Sequence, residues 1–236
     1  MASIYLVRHG QASFGSENYD QLSELGQRQC LLLGQWMQQT GQPVETIYVG
    51  AMQRHQQSAE AFVAGYGAPA HLHAQHWQLK TGLNEFDHEQ VIRRSRPELG
   101  SASQLLQFLA QQTQPRQVFE TLFATALTRW MQGEHADDYA ESWNDFKQRV
   151  HTALLELVPQ TTPANNSIVF TSGGPISALC QHFLAIPDTH VMSLLAVLIN
   201  SSVTRIVHSD GQCSLANMNT IAHLEQHNDR RLISFR

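Results

Sequence analysis

Arg8, His9 and Gly10 follow directly on Ile4–Val7, a run apolar enough for a buried strand. A second arginine, Arg54, stands in GAMQRHQQSAE, Glu85 stands in LNEFDH, and Ser172 and Gly173 stand in TSGGPIS. Two guanidiniums can hold the non-bridging oxygens of a phosphoryl group by paired hydrogen bonds. An imidazole between them is kept neutral by the surrounding positive charge, so it can act as a nucleophile. Glycine behind the histidine frees the turn and lets backbone approach closely. A carboxyl group on the far side can protonate a leaving oxygen, and backbone amides at a helix start favour an anion. This set of residues could transfer a phosphoryl group through a phosphohistidine, with no metal and no cofactor.

Each piece alone is uninformative, and its weight comes from where the elements put it. A strand at about 3–8 is followed by a loop at 10–22 and a helix over about 24–40, opened by Ser23 and closed by Gly41. A short strand at 46–49 leads to a helix at about 52–65 that Gly65 and Gly67 stop. Strand then helix, twice, predicts an α/β fold with a parallel sheet. Further strands are expected at about 71–79, 167–171, 202–208 and 212–217. Helices are expected at about 138–158, 175–184 and 188–198. The first of these is marked by Tyr139, Trp143, Phe146, Val150, Leu154 and Leu157 on one face. Between about 86 and 137, Pro97, Gly100, Pro115 and Gly133 break helical pieces into what reads as an insertion over the sheet edge. In a parallel sheet, ligands bind beyond the carboxyl ends of the strands, and four predicted strand ends carry the residues named above. The whole of 1–236 reads as one domain.

The composition limits the partners. Hydrophobic residues make up 42% of the 236 residues and charged residues 15%, with net charge −5. That suits a soluble globular chain with a sizeable core and offers no basic field for nucleic acid or an anionic membrane. No apolar run is long enough to span a bilayer, and no signal peptide is visible. Cys30, Cys180 and Cys213 are far apart and form no CxxC, so buried free thiols in a reducing cytoplasm are expected. His71, His73 and His76 lack a carboxylate partner pattern and read as strand and surface residues rather than a metal site. Arg93, Arg94 and Arg96 read as a solvated basic face.

Taken in order, these segments resemble the histidine phosphatase superfamily, the phosphoglycerate mutase-like proteins. LVRHG is similar to the family's signature, DQLSELGQRQ to its first helix start, and RHQQSAE to the segment with its second arginine. LNEFDH is similar to the acid-bearing segment, ESWNDFKQRV to the helix behind the site, and NSSVTRI with Asn219, His223 and Leu224 to the closing strands. The resemblance implies His9 as nucleophile, Arg8 and Arg54 as phosphate ligands, Glu85 as proton donor and a three-layer αβα sandwich with a mostly parallel central sheet and a helical insertion.

One departure is plain. The family places a histidine at the end of the 167–171 strand, before the two glycines, and this chain has Ser172. No nearby residue is an obvious substitute, and His182 lies two to three helical turns further on. The loop after Gly10 has Gly15 where mutases commonly have asparagine. The sequence therefore leads to a phosphomonoesterase acting on a small phosphorylated substrate. Its alternatives are a degenerate relative that binds a phosphorylated ligand with little turnover, and a mutase. A doubly wound protein of unrelated function is a further alternative. Substrate identity and oligomeric state are not legible.

Overall fold

A computed structural model describes residues 1–13, 20–162, 165–209 and 211–235. The loop glycine Gly15 lies outside the described residues. Six strands form one sheet: β1 (Ala2–Arg8), β2 (Thr46–Val49), β3 (Gln78–Leu79), β4 (Ser167–Thr171), β5 (Val203–Ser209) and β6 (Gln212–Thr220). Their spatial order is β3-β2-β4-β1-β5-β6. The pairs β2–β3, β2–β4 and β1–β4 are parallel, and β5 and β6 close the other side antiparallel.

The sheet is covered on both faces, which is why β1 and β4 are buried at every position and carry unbroken apolar runs, Ile4–Val7 and Ile168–Phe170, rather than alternating ones. Ile4 and Leu6 of β1 enter one core, and Tyr5 and Val7 enter the other. The second core packs under α1 (Glu24–Gln39) and α2 (Gln53–Gly65), through Leu33, Met37, Phe62 and Val63. The first is covered by α6 (Trp143–Leu157) and α7 (Gly173–Leu184), together with α3 (His88–Ser95), α4 (Ala102–Ala110), α5 (Pro115–Met131) and α8 (Asp188–Val197). A short α9 (Ala222–Glu225) follows β6. The result is a three-layer αβα sandwich.

Helix boundaries follow the expected chemistry. Ser23 caps α1 by accepting from Gly26 N, and Ser142 with Asp145 forms a capping box at α6. The latter cap starts the helix at Trp143, so Tyr139 precedes it in the chain, yet its ring still packs toward Trp130. The segment expected as a strand at 71–79 is mostly two 3₁₀ turns, Ala70–Leu72 and Ala74–His76. Only Gln78 and Leu79 pair with β2. Leu72 alone of that run is buried among apolar neighbours, so no alternating face exists to hold it flat against the sheet. Cys30 and Cys180 are buried free thiols as expected, whereas Cys213 is partly exposed. Arg93 and Arg94 lie exposed on α3, and Arg96 pairs with Glu98. Among the described residues, no helix is long and apolar enough to cross a membrane.

Candidate active site

The carboxyl ends of β1, β2 and β4 lie side by side, and the residues that follow them converge. Register alone brings β1 and β4 together, because Arg8 pairs with Thr171 and His9 N donates to the Thr171 carbonyl at 2.8 Å. The loop carrying His9 is held from several directions. Gly10 N donates to Ser58 Oγ at 3.1 Å, and that hydroxyl donates to the Arg54 carbonyl at 2.7 Å. Asn200 Nδ2 donates to the His9 carbonyl at 3.2 Å, and Ser201 N to the Arg8 carbonyl at 3.0 Å. Ser234 Oγ holds Asn200 Oδ1 at 3.0 Å and accepts from Gln29 Nε2 at 2.9 Å. Gly10 is required by close approach: a Cβ there would stand 2.3 Å from the Gly26 carbonyl oxygen of α1.

His9 is 8% exposed. Its Nδ1 lies 2.7 Å from the Gly10 carbonyl, which can only accept. The proton therefore sits on Nδ1 and the lone pair on Nε2. Burial holds the imidazole well below its usual pKa, and the charges of Arg54 and Arg8 and the nearby His55 add to the effect. A neutral ring with an open Nε2 lone pair is what a nucleophile needs.

Arg8 donates to the Leu198 carbonyl. Arg54, 4% exposed, meets Asp20 at 3.0 Å, and the other Asp20 oxygen accepts from Gln53 N at 2.8 Å. Glu85 is partly exposed as a residue, but its carboxyl end is turned onto buried Gly174. Gly174 N donates to Oε2 and Phe86 N to Oε1, both at 3.2 Å. Burial raises the Glu85 pKa above its ordinary value, against the opposing pull of the Gly174 amide, Arg54, the Phe86 amide and Arg8. Gly173 lies against Arg8, with its missing Cβ position 3.6 Å from Arg8 Nε and 2.8 Å from Leu195 Cδ1.

Ser172 is fully buried at the N-cap position of α7 but does not cap it. Its hydroxyl is engaged instead by His55 Nε2 at 2.7 Å, and Glu85 takes the Gly174 amide. No obvious substitute for the missing histidine was legible near Ser172 in the sequence, and the structure brings His55 against it from α2. His55 is fully buried, next to Arg54, with its ring 5.8 Å from that of His9. The signal was present in RHQQSAE, a histidine beside the arginine at a helix opening, but its side-chain direction was not readable there. His182 is elsewhere, against His151 at 4.2 Å between ring centroids. The structure thus brings Arg8, His9, Arg54, Glu85, Ser172 and Gly173 to one place and adds His55. Among the described residues, no group of three or more His, Cys, Asp or Glu is arranged to hold a metal ion. His71 lies 3.6 Å from Glu45.

A family model described as the histidine phosphatase superfamily (branch 1) matches residues 4–221. Similar solved structures include YhfR from Bacillus stearothermophilus, at 20% identity and a TM-score of 0.66, covering 94% of this chain and 98% of that one. The phosphoglycerate mutase of Bacillus anthracis is similar at 17% identity and a TM-score of 0.63, over 96% of both chains. A mycobacterial glucosyl-3-phosphoglycerate phosphatase is similar at 22% identity and a TM-score of 0.58, covering 93% of this chain and 100% of that one. No curated protein matches the sequence. At these identities the structural likeness speaks for the fold.

Proposed function

The chain belongs to the histidine phosphatase superfamily, and on that premise we propose that it is a phosphomonoester phosphatase working through a phosphohistidine on His9. The observation that carries this reading is the 2.7 Å contact between His9 Nδ1 and the Gly10 carbonyl, which can only accept, so that the proton belongs on Nδ1 and Nε2 is left to attack. The Nε2 lone pair forms the N–P bond as the ester P–O bond breaks. Arg8, Arg54 and the amides opening α7 stabilise the charge on the non-bridging oxygens. Glu85, whose raised pKa keeps it protonated further up the pH scale, gives its proton to the leaving oxygen. Deprotonated, it then takes a proton from the water that hydrolyses the phosphohistidine, by microscopic reversibility. The substrate is a small phosphorylated molecule in the cytoplasm, and positive charge comes from arginine without a metal.

Ser172 favours a second reading, a binder of phosphorylated ligands with little turnover, because the position holds a hydroxyl in place of an imidazole. Brief incubation with a reactive phosphodonor followed by peptide mapping separates the two. Acid-labile phosphate on His9, absent in His9→Ala, supports the enzyme. Label on a serine, or turnover without label, refutes the phosphohistidine. Ligand binding with no turnover on any phosphoester leaves the binder.

A further inference from the structure

We propose that His55, acting through the Ser172 hydroxyl, supplies this site with the imidazole that the end of β4 lacks; the proposal rests on the reading that the site binds a phosphoryl group. Three observations carry it. Ser172 stands where a serine would ordinarily cap α7, yet its Oγ is held by His55 Nε2 at 2.7 Å and makes no capping bond. The His55 ring is fully buried and 5.8 Å from the His9 ring, so it borders the same centre from the α2 side. Its space exists because residue 50 has no side chain: a Cβ on Gly50 would stand 2.2 Å from His55 Nδ1 and 2.8 Å from Cε1. Burying an imidazole beside an arginine is costly unless its polar atoms are used, and of the two ring nitrogens only Nε2 meets a partner here, Nδ1 being buried without one. Packing alone does not explain why this one is aimed at a hydroxyl.

The chemistry follows from counting protons. Burial, with the adjacent Arg54 charge, pushes the His55 pKa down to about 3 against the opposing pull of the Gly50 backbone, so the ring is neutral and carries one N–H. A serine hydroxyl has one proton to donate. If His55 Nε2 accepts it, none is left for substrate. If Nε2–H donates to Oγ, the Ser172 O–H is released to donate to a phosphoryl oxygen, and the two bonds in series reinforce each other. An anion at the site selects the second arrangement. His55 is therefore a positioning residue: it sets the direction of the Ser172 hydroxyl.

A reciprocal exchange tests this, read as kcat/KM on p-nitrophenyl phosphate and as affinity for orthovanadate. His55→Ala and Ser172→Ala should each lose about 10²-fold or more, as when one preorganised donor is removed. The double alanine variant should lose little beyond either single one, because both break one relay. Ser172→His with His55 intact should be damaging, since two rings compete for one space. Ser172→His combined with His55→Ala should return to within about tenfold of the parent. Additive losses, or no recovery in an exchange variant that melts like the parent, overturn the relay. Should the exchange variant fold poorly, His55→Gln and His55→Leu decide. Glutamine can still donate to Oγ and should retain most activity, and equal losses overturn the proposal. In ¹⁵N spectra of the parent, orthovanadate should move the His55 proton onto Nε2, and a ring that stays Nδ1-protonated is contrary evidence. If His9 is labelled and His55 variants turn over normally, the relay alone fails. If nothing turns over or labels, but His55 variants lose vanadate affinity, the phosphatase reading fails and the relay stands. A parent that binds no vanadate overturns both.

Discussion

Glu85→Gln removes one proton and leaves the shape of the side chain, so its effect on activity can be separated from its effect on folding. Two amides, Gly174 N and Phe86 N, donate to the two carboxyl oxygens. Glutamine keeps one acceptor and turns an NH₂ toward the other amide, leaving a buried donor unmet at a cost of about 1–3 kcal/mol. For a chain of this size that is a fall in Tm of roughly 2–4 °C for each kcal/mol. Loss of the general acid should cost a further factor of about 10²–10⁴ in rate, or about 3–5 kcal/mol of activation free energy. That second loss depends on the leaving group. An alkyl phosphate, whose alkoxide leaves poorly, should suffer the whole of it, and p-nitrophenyl phosphate, whose phenolate leaves readily, should suffer little. The assay is the ratio of kcat/KM for the two esters, parent against variant, at a temperature where both are folded. Misfolding lowers both numbers together, so only loss of the proton changes the ratio. Equal losses would refute Glu85 as the donor.

Phosphatase activity should survive EDTA, because arginines supply the positive charge; complete loss on chelation, restored by a divalent ion, would count against the proposed chemistry. Acid should destabilise the fold. His55 and His223 are held neutral by burial down to about 3, and His9 is lowered in the same direction. Unfolded imidazoles bind protons below about 6.5, so the unfolded state binds more protons and stability falls as the pH drops, by about 1.4 kcal/mol per pH unit for each histidine. Urea unfolding between pH 7 and 4 measures the slope, and His223→Gln should remove one share of it. Gly10→Ala should cost about 1–3 kcal/mol or more in the same assay, because the new methyl meets the α1 backbone at Gly26 rather than a movable side chain; an unchanged midpoint would refute the close packing of that turn.

The layers and most elements were legible because doubly covered strands and amphipathic helices leave strong marks. Ile4–Val7 could only be a strand buried on both faces, and Trp143, Phe146, Val150 and Leu154 could only be one face of a helix. The short edge strand was not legible: alternation in HLHAQH imitates a strand, and only the lack of apolar burial in three dimensions shows otherwise. Arg8, His9, Arg54 and Glu85 could be placed at strand ends from the order of elements. His55 could not, because its role depends on which way a side chain leaves α2 and on the space left by Gly50, on the neighbouring strand end. Neither is a property of a local sequence pattern.

The sheet order has a consequence for how the chain is made. β1 precedes the other strands of this sheet in the chain and lies in the interior of the sheet, between β4 and β5. Its parallel partner begins at Ser167 and its antiparallel one ends at Ser209. At synthesis rates of roughly 5–20 residues per second, the apolar strand bearing the Arg8–His9 end waits on the order of 10–40 s for both neighbours. Until β4 is made, neither edge of this apolar segment has its strand partner. The long separation in sequence also makes pairing slow once the residues are present. The nucleophile, latched through Asn200 to Ser234, is among the last features to be assembled.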